Sequence, residues 1–195
     1  MNLTKRQMEL VDQAIAIIAE QGLERLTTKN LAAAIGVTEA ALYRHFQSKN
    51  ELMRMILSYF EKLSSDVLEE IRISELDPVE SVRRFVLDRY KLFSGRPALA
   101  KVMFSEEIFI SVPAFSDHYQ KIMHKHKSEV VAYILRGQAE QRIIQNMDAN
   151  HVFRIVVGSM RFLVMQWNLS GQSFDLEAEG NALLDTIIKL IEVKS

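Results

Sequence analysis

Three observations predict an all-α fold. Apolar residues recur at three- and four-residue spacing along most of the chain. Only 7 Gly and 3 Pro interrupt its 195 residues, too few for the turns of a many-stranded sheet. No stretch of useful length alternates apolar and polar side chains. The predicted organisation is three short helices in residues 1–48, followed by a bundle of five or so longer helices in residues 49–195.

The helices can be placed from their ends. Thr4-x-x-Gln7 is a capping box that opens the first, with Met8, Val11, Ile15, Ile18 and Ala19 on one face. Gly22 ends it. Thr27 or Thr28 caps a short second helix through Ile35, Gly36 turns the chain, and Thr38 caps a third to about His45. Ser48-x-x-Glu51 opens a long fourth helix whose apolar stripe is Leu52, Ile56, Tyr59, Phe60, Leu63, Val67 and Ile71. Asp77-Pro78-x-Glu80 supplies the N-cap, first-turn proline and acid of a fifth, running to about Phe93. Ser94-Gly95-Arg96-Pro97 breaks that helix and starts a sixth, to about Ile110. Residues 111–117, with Pro113, read as a loop, and a further helix runs from His118 toward Arg142. Asp148 caps the next, to Asn168. Ser170-Gly171 closes it, and residues 176–193 form the last.

Composition narrows the chemistry. There is no cysteine, which excludes disulfides, thiolate metal sites and a cysteine nucleophile, and fits a cytoplasmic protein. The N-terminus leads into an amphipathic helix rather than a signal sequence. The most apolar region, residues 152–169, carries Arg154 and Arg161, so no membrane span is expected. Net charge is −1, and the first fifty residues sum to only +1, but Glu39 is the sole acid between Arg25 and Lys49. His118, His124 and His126, with Glu106 and Glu107, form the one metal-like cluster. It lacks the spacing of a metal-binding helix, so these read as surface histidines and no metal is expected. No Ser/His/Asp order, Gly-rich phosphate loop or E-x-x-H pair points to an enzyme.

The turn at Gly36 has the parts of a helix-turn-helix. Ala32 permits the close helix approach, Gly36 tolerates positive φ, and Leu31, Ile35, Val37 and Leu42 anchor the second helix from behind. A tight helical hairpin inside an ordinary bundle has the same spacing. The run from Gly36 to Leu52, GVTEAALYRHFQSKNEL, resembles the G-V-S/T-x-x-x-L-Y-x-H/Y-F-x-S/N-K-x-x-L signature of TetR-family transcriptional regulators, and Gly22-Leu23 and Thr27-Thr28 upstream agree with it. The resemblance is specific over about residues 10–55. Beyond them it rests on helix number and length.

That resemblance implies a DNA-binding regulator, a repressor released from a palindromic double-stranded operator by a small, lipophilic effector. It implies that Thr28 and Lys29 touch phosphate or a nearby base, that Thr38, Glu39, Ala40 and Ala41 face base edges, and that Tyr43, Arg44, His45 and Lys49 contact phosphate. Phe46 reads as a core plug. Glu39 departs from expectation on a DNA-facing surface. It either accepts a hydrogen bond from cytosine N4 or points to solvent as a first-turn helix charge. In the second region Phe85, Tyr90, Phe93, Met103, Phe104, Phe109, Tyr119, Met123, Phe162, Met165 and Trp167 are core by spacing alone, and the resemblance makes them candidate effector-pocket residues. No cofactor is expected beyond that unknown effector.

The last two helices are apolar over wide faces. They form either the core of a monomer or, as the resemblance implies, a homodimer interface in which Gly158 and Ser159 allow close approach. A protein-interaction module without DNA binding is the alternative reading of so modest a charge.

Overall fold

A computed structural model describes residues 3–105, 108 and 113–193. The described residues form α1 (Lys5–Gln21), a 3-10 turn (Leu23–Arg25), α2 (Thr28–Ile35), α3 (Glu39–Leu42), α4 (Lys49–Ile73), α5 (Pro78–Ser94), α6 (Pro97–Met103), α7 (Pro113–Ala139), α8 (Ala149–Leu169) and α9 (Leu176–Ile191). The sole extended pairing among them is a single bridge between Ile143 and Glu192. They divide into two compact units: Met1–Leu63 with Ala98–Ile122, and Ser64–Pro97 with Met123–Ser195.

In the first unit α1 packs on α2, and α2 on α3. Leu10, Val11, Ala14, Ile15 and Ile18 of α1 are buried, as are Leu26, Leu31, Ala32, Leu42, Phe46, Leu52 and Ile56. Thr4 and Gln7 make the predicted reciprocal capping box. Met8 is a correction: it is 38% exposed, because the covered stretch of α1 begins only at Leu10. The Ser48 hydroxyl accepts the Glu51 N–H at 3.2 Å, but the Glu51 carboxylate turns to the Gln47 N–H at 2.7 Å.

In the second unit α9 packs on α5 and α8. The approach to α5 is close at Gly180, where an added Cβ would lie 2.5 Å from Tyr90 Cδ2. Arg83 on α5 pairs with Asp185 on α9 at 2.5 Å. Asp77, Asp148 and Asp175 each accept two backbone N–H groups at the start of α5, α8 and α9, which satisfies donors that a helix cannot pair internally.

Three boundaries differ from the expected ones. Helix α6 ends at Met103, where Ser105 donates to the carbonyl of Val102, an i−3 bond that closes the last turn. Helix α7 starts at Pro113, not His118. Pro113 is a helix-starting proline rather than a loop breaker, since its fixed φ and missing N–H suit the first helical position. It ends at Ala139 because Gln141 takes a left-handed φ of 57° while the Arg142 N–H reaches back to Gly137 at 2.8 Å.

Candidate nucleic-acid interface

The turn between α2 and α3 is built as its residues require. Thr27 caps α2 by accepting the Asn30 N–H at 3.1 Å. Gly36 ends α2 in the left-handed region, φ 68° and ψ 36°, and the Val37 N–H then reaches back to the Ala32 carbonyl at 3.0 Å. Thr38 caps α3 by accepting the Ala41 N–H at 3.3 Å. Helix α3 is one turn, shorter than expected. His45 donates to Leu42 at 2.8 Å and Arg44 to Ala41 at 3.4 Å, tight i−3 bonds that end the regular helix at Leu42.

So short a helix depends on its anchors. Leu42 is fully buried on its inner side, and Phe46 plugs the core just after it. The opposite side carries the candidate contacts. Lys29, Thr38, Glu39, Ala40, Tyr43, Arg44 and Lys49 are exposed, and Thr28, Ala41 and His45 half-exposed. Tyr43 is 51% exposed. Lys29 and Arg44 have no ion pair among the described residues.

Two of these residues have partners that spacing did not reveal. The Thr28 hydroxyl donates to the Glu39 carboxylate at 2.5 Å, joining the first residues of α2 and α3. The Lys49 ammonium donates to the Leu23 carbonyl at 2.8 Å, tying the start of α4 to the 3-10 turn. An ammonium has three donors, so this leaves Lys49 able to meet an anion as well.

The expected effector-pocket residues fall in both units. Phe85, Tyr90, Phe93 and Trp167 are buried in the second unit, with Met123 half-buried. Met103 is buried and Phe104 and Tyr119 half-buried in the first, where Tyr119 donates to the Met103 carbonyl at 3.3 Å. Phe162 and Met165 are corrections: they are 56% and 42% exposed, on the side of α8 opposite Val156, Met160 and Val164. Phe109 lies outside the described residues, as do Glu106 and Glu107.

The histidines also divide. His124 is exposed, and His118 sits 3.3 Å from Glu61. His126 is a correction: it is buried, edge-on to Phe85 at 6.0 Å. Burial, with the nearby Arg89 and Lys125 charges, pushes it down to about 3, so it is neutral near pH 7. Arg89 lies over the Phe85 ring, 5.5 Å from its centroid. It is buried, donates to Ser64 at 2.6 Å and pairs with Asp88. Its position was legible, since residue 89 falls on the stripe of Val82, Phe85, Val86 and Phe93.

Residues 10–56 match the profile of the bacterial regulatory proteins of the tetR family, and residues 91–193 that of the C-terminal region of MAATS-type transcriptional repressors. The chain is 23% identical over 190 residues to the probable acrEF/envCD operon repressor of Escherichia coli K12, covering 95% of this chain and 86% of that protein. Its fold is similar to that of the ketosteroid transcriptional regulator KstR2 of Mycobacterium tuberculosis, with a TM-score of 0.83, 22% identity, and 99% and 98% of the two chains covered. It is also similar to the transcriptional regulator FadR of Bacillus subtilis, solved in complex with stearoyl-CoA, with a TM-score of 0.76, 19% identity, and 93% and 97% covered. With a helix-turn-helix at its N-terminus and a repressor-type C-terminal region after it, the chain belongs to the TetR family of DNA-binding transcriptional regulators.

Proposed function

We propose that this regulator is a cytoplasmic homodimeric repressor that binds a palindromic operator and leaves it when a small, lipophilic effector binds its C-terminal region. The observation that carries the DNA side is the α2–Gly36–α3 unit. Its inner residues Leu31, Ala32, Leu42 and Phe46 are buried, while Lys29, Thr38, Ala40, Tyr43 and Arg44 face outward. Lys29, Arg44 and Lys49 supply the phosphate clamp, with Tyr43 along the backbone and His45 beside it. This clamp is small, so one domain alone binds weakly. Two copies about 34–36 Å apart read two half-sites and double the contacts.

The dimer reading is supported by α8. Its exposed residues Ile155, Gly158, Phe162, Met165 and Leu169 follow one another at three- and four-residue spacing. An apolar stripe of that kind is the seam of a helix pair. An added Cβ at Gly158 meets nothing within 4 Å among the described residues, so its smallness serves no contact there.

The effector reading draws on the buried aromatic set of the second unit and on the stearoyl-CoA complex of the Bacillus subtilis relative. Effector binding favours a state whose recognition helices are misplaced, transmitted through α4, which is continuous from Lys49 to Ile73. No helix among the described residues is long and apolar enough to cross a membrane.

A gel shift against the DNA upstream of the chain's own gene tests this function. We expect binding that weakens roughly 10-fold or more between 50 and 200 mM salt, and release by one member of a panel of acyl-CoA esters and other lipophilic compounds. Absence of binding at low salt would favour the interaction-module alternative.

A further inference from the structure

Glu39 is an exposed carboxylate on the outward face of α3, and no cation among the described residues pairs with it. It is the only acid between Arg25 and Lys49. Against phosphate it can only repel. A carboxylate accepts hydrogen bonds and donates none, so at base edges it needs an amino group. In the major groove those are cytosine N4 and adenine N6. Adenine N6 is flanked by acceptors, N7 on its own ring and O4 of the paired thymine, so cytosine is the better match.

The carboxylate is also held. Thr28 opens α2 and Glu39 opens α3, and the Thr28 hydroxyl donates to Glu39 Oε2 at 2.5 Å across the turn. The neighbouring threonines are engaged elsewhere: Thr27 accepts from the Asn30 N–H and Thr38 from the Ala41 N–H. Thr28 sits at the first position of α2, so its hydroxyl reaches the Glu39 carboxylate from the helix start. One carboxylate oxygen is fixed and the other, Oε1, is left to the groove. Ala40 and Ala41 alongside are too small to obstruct a base edge.

We propose that Glu39, positioned by the Thr28 hydroxyl, reads a cytosine amino group at one position of each operator half-site. Thr28 then acts as a positioning residue rather than a phosphate contact. This inference rests on the DNA-binding reading above.

The test starts from an operator selected by the wild-type protein from a random duplex pool, then measures Kd on every single-base variant at two salt concentrations. At one position per half-site the wild type should prefer cytosine by roughly 10-fold or more. Glu39→Ala should abolish that preference and leave the others. Glu39→Gln should move it toward adenine, since an amide both donates and accepts. Thr28→Val keeps the shape and the Thr27 cap but loses the donor. It should reduce discrimination at the same position with the salt slope unchanged, and Thr28→Ser should restore it. Thermal melting of each variant checks folding. A change in affinity by the same factor on every sequence for Glu39→Ala overturns the proposal. A uniform loss with a smaller salt slope for Thr28→Val overturns the positioning role and makes Thr28 a phosphate contact. If the wild type selects no DNA, the DNA-binding reading itself fails, a result distinct from both.

Discussion

His126 shows how one side chain couples this protein to pH. It is buried against Phe85, and its folded value is about 3 against an ordinary 6.5. Above pH 6.5 neither the folded nor the unfolded chain protonates it, so it has no effect on stability. Below 6.5 the unfolded chain takes up a proton that the folded chain refuses, and stability falls as pH drops toward 3. The slope is at most about 1.4 kcal/mol per pH unit for one proton. Urea unfolding at pH 7 and pH 5 should therefore show a loss of about 2 kcal/mol from this residue. His126→Leu should be free of that component, so the stability difference between variant and wild type grows on acidification. A difference that stays constant from pH 7 to pH 5 would contradict the assignment. Position 126 could not be read as buried from its neighbours, because Lys125 and Lys127 beside it suggest a solvated stretch. Burial there is set by α5, through Phe85 and Arg89.

At the scale of the element, the helix starts were the most legible feature. Thr4, Thr27, Thr38, Asp77 and Asp148 all cap the helices that follow them. A cap is a bond across two or three residues, so its geometry is contained in the local sequence. Asp77 does more than cap. One oxygen accepts from Val79 at 2.9 Å and from Glu80 at 3.4 Å, while the other meets Arg142. Asp77→Ala should lower stability by about 1 kcal/mol or somewhat more, read as a shift in the denaturation midpoint. Asp77→Asn keeps the cap and loses only a partly exposed ion pair, so it should retain most of that stability. Equal losses in the two variants would place the effect in the ion pair instead. Helix ends set by non-glycine residues were less legible. Gln141 ends α7 at a left-handed φ that its composition does not announce, and Pro113 starts the same helix where a proline is as readily taken for a break.

At the scale of the molecule, the two faces of α8 bear on the proposed dimer. Val152, Val156, Met160, Val164 and Trp167 are buried within the chain, while Ile155, Phe162, Met165 and Leu169 are exposed. A helix apolar on both sides needs a covering for each. The wild type should sediment as a dimer at micromolar concentration. Phe162→Glu should yield a monomer of unchanged helical content whose operator affinity falls at least tenfold, because each protomer then binds a single half-site. A monomeric wild type would remove the dimer from the mechanism, and a dimeric Phe162→Glu would move the interface elsewhere.

Sequence alone determined the all-α class, the helix-turn-helix at Gly36, the caps, and the family to which the signature from Gly36 to Leu52 belongs. The class and the caps depend on residues a few positions apart, where spacing and stereochemistry carry the information; the helix-turn-helix and the family came from the resemblance of that run to a known signature. Tertiary structure alone decided which side of each helix is covered. It put Phe162 and Met165 outside, enclosed His126, and joined Thr28 to Glu39 across a turn. The periodicity of a helix shows which side chains share a face, but not which other helix lies against it. Covering depends on partners far away along the chain.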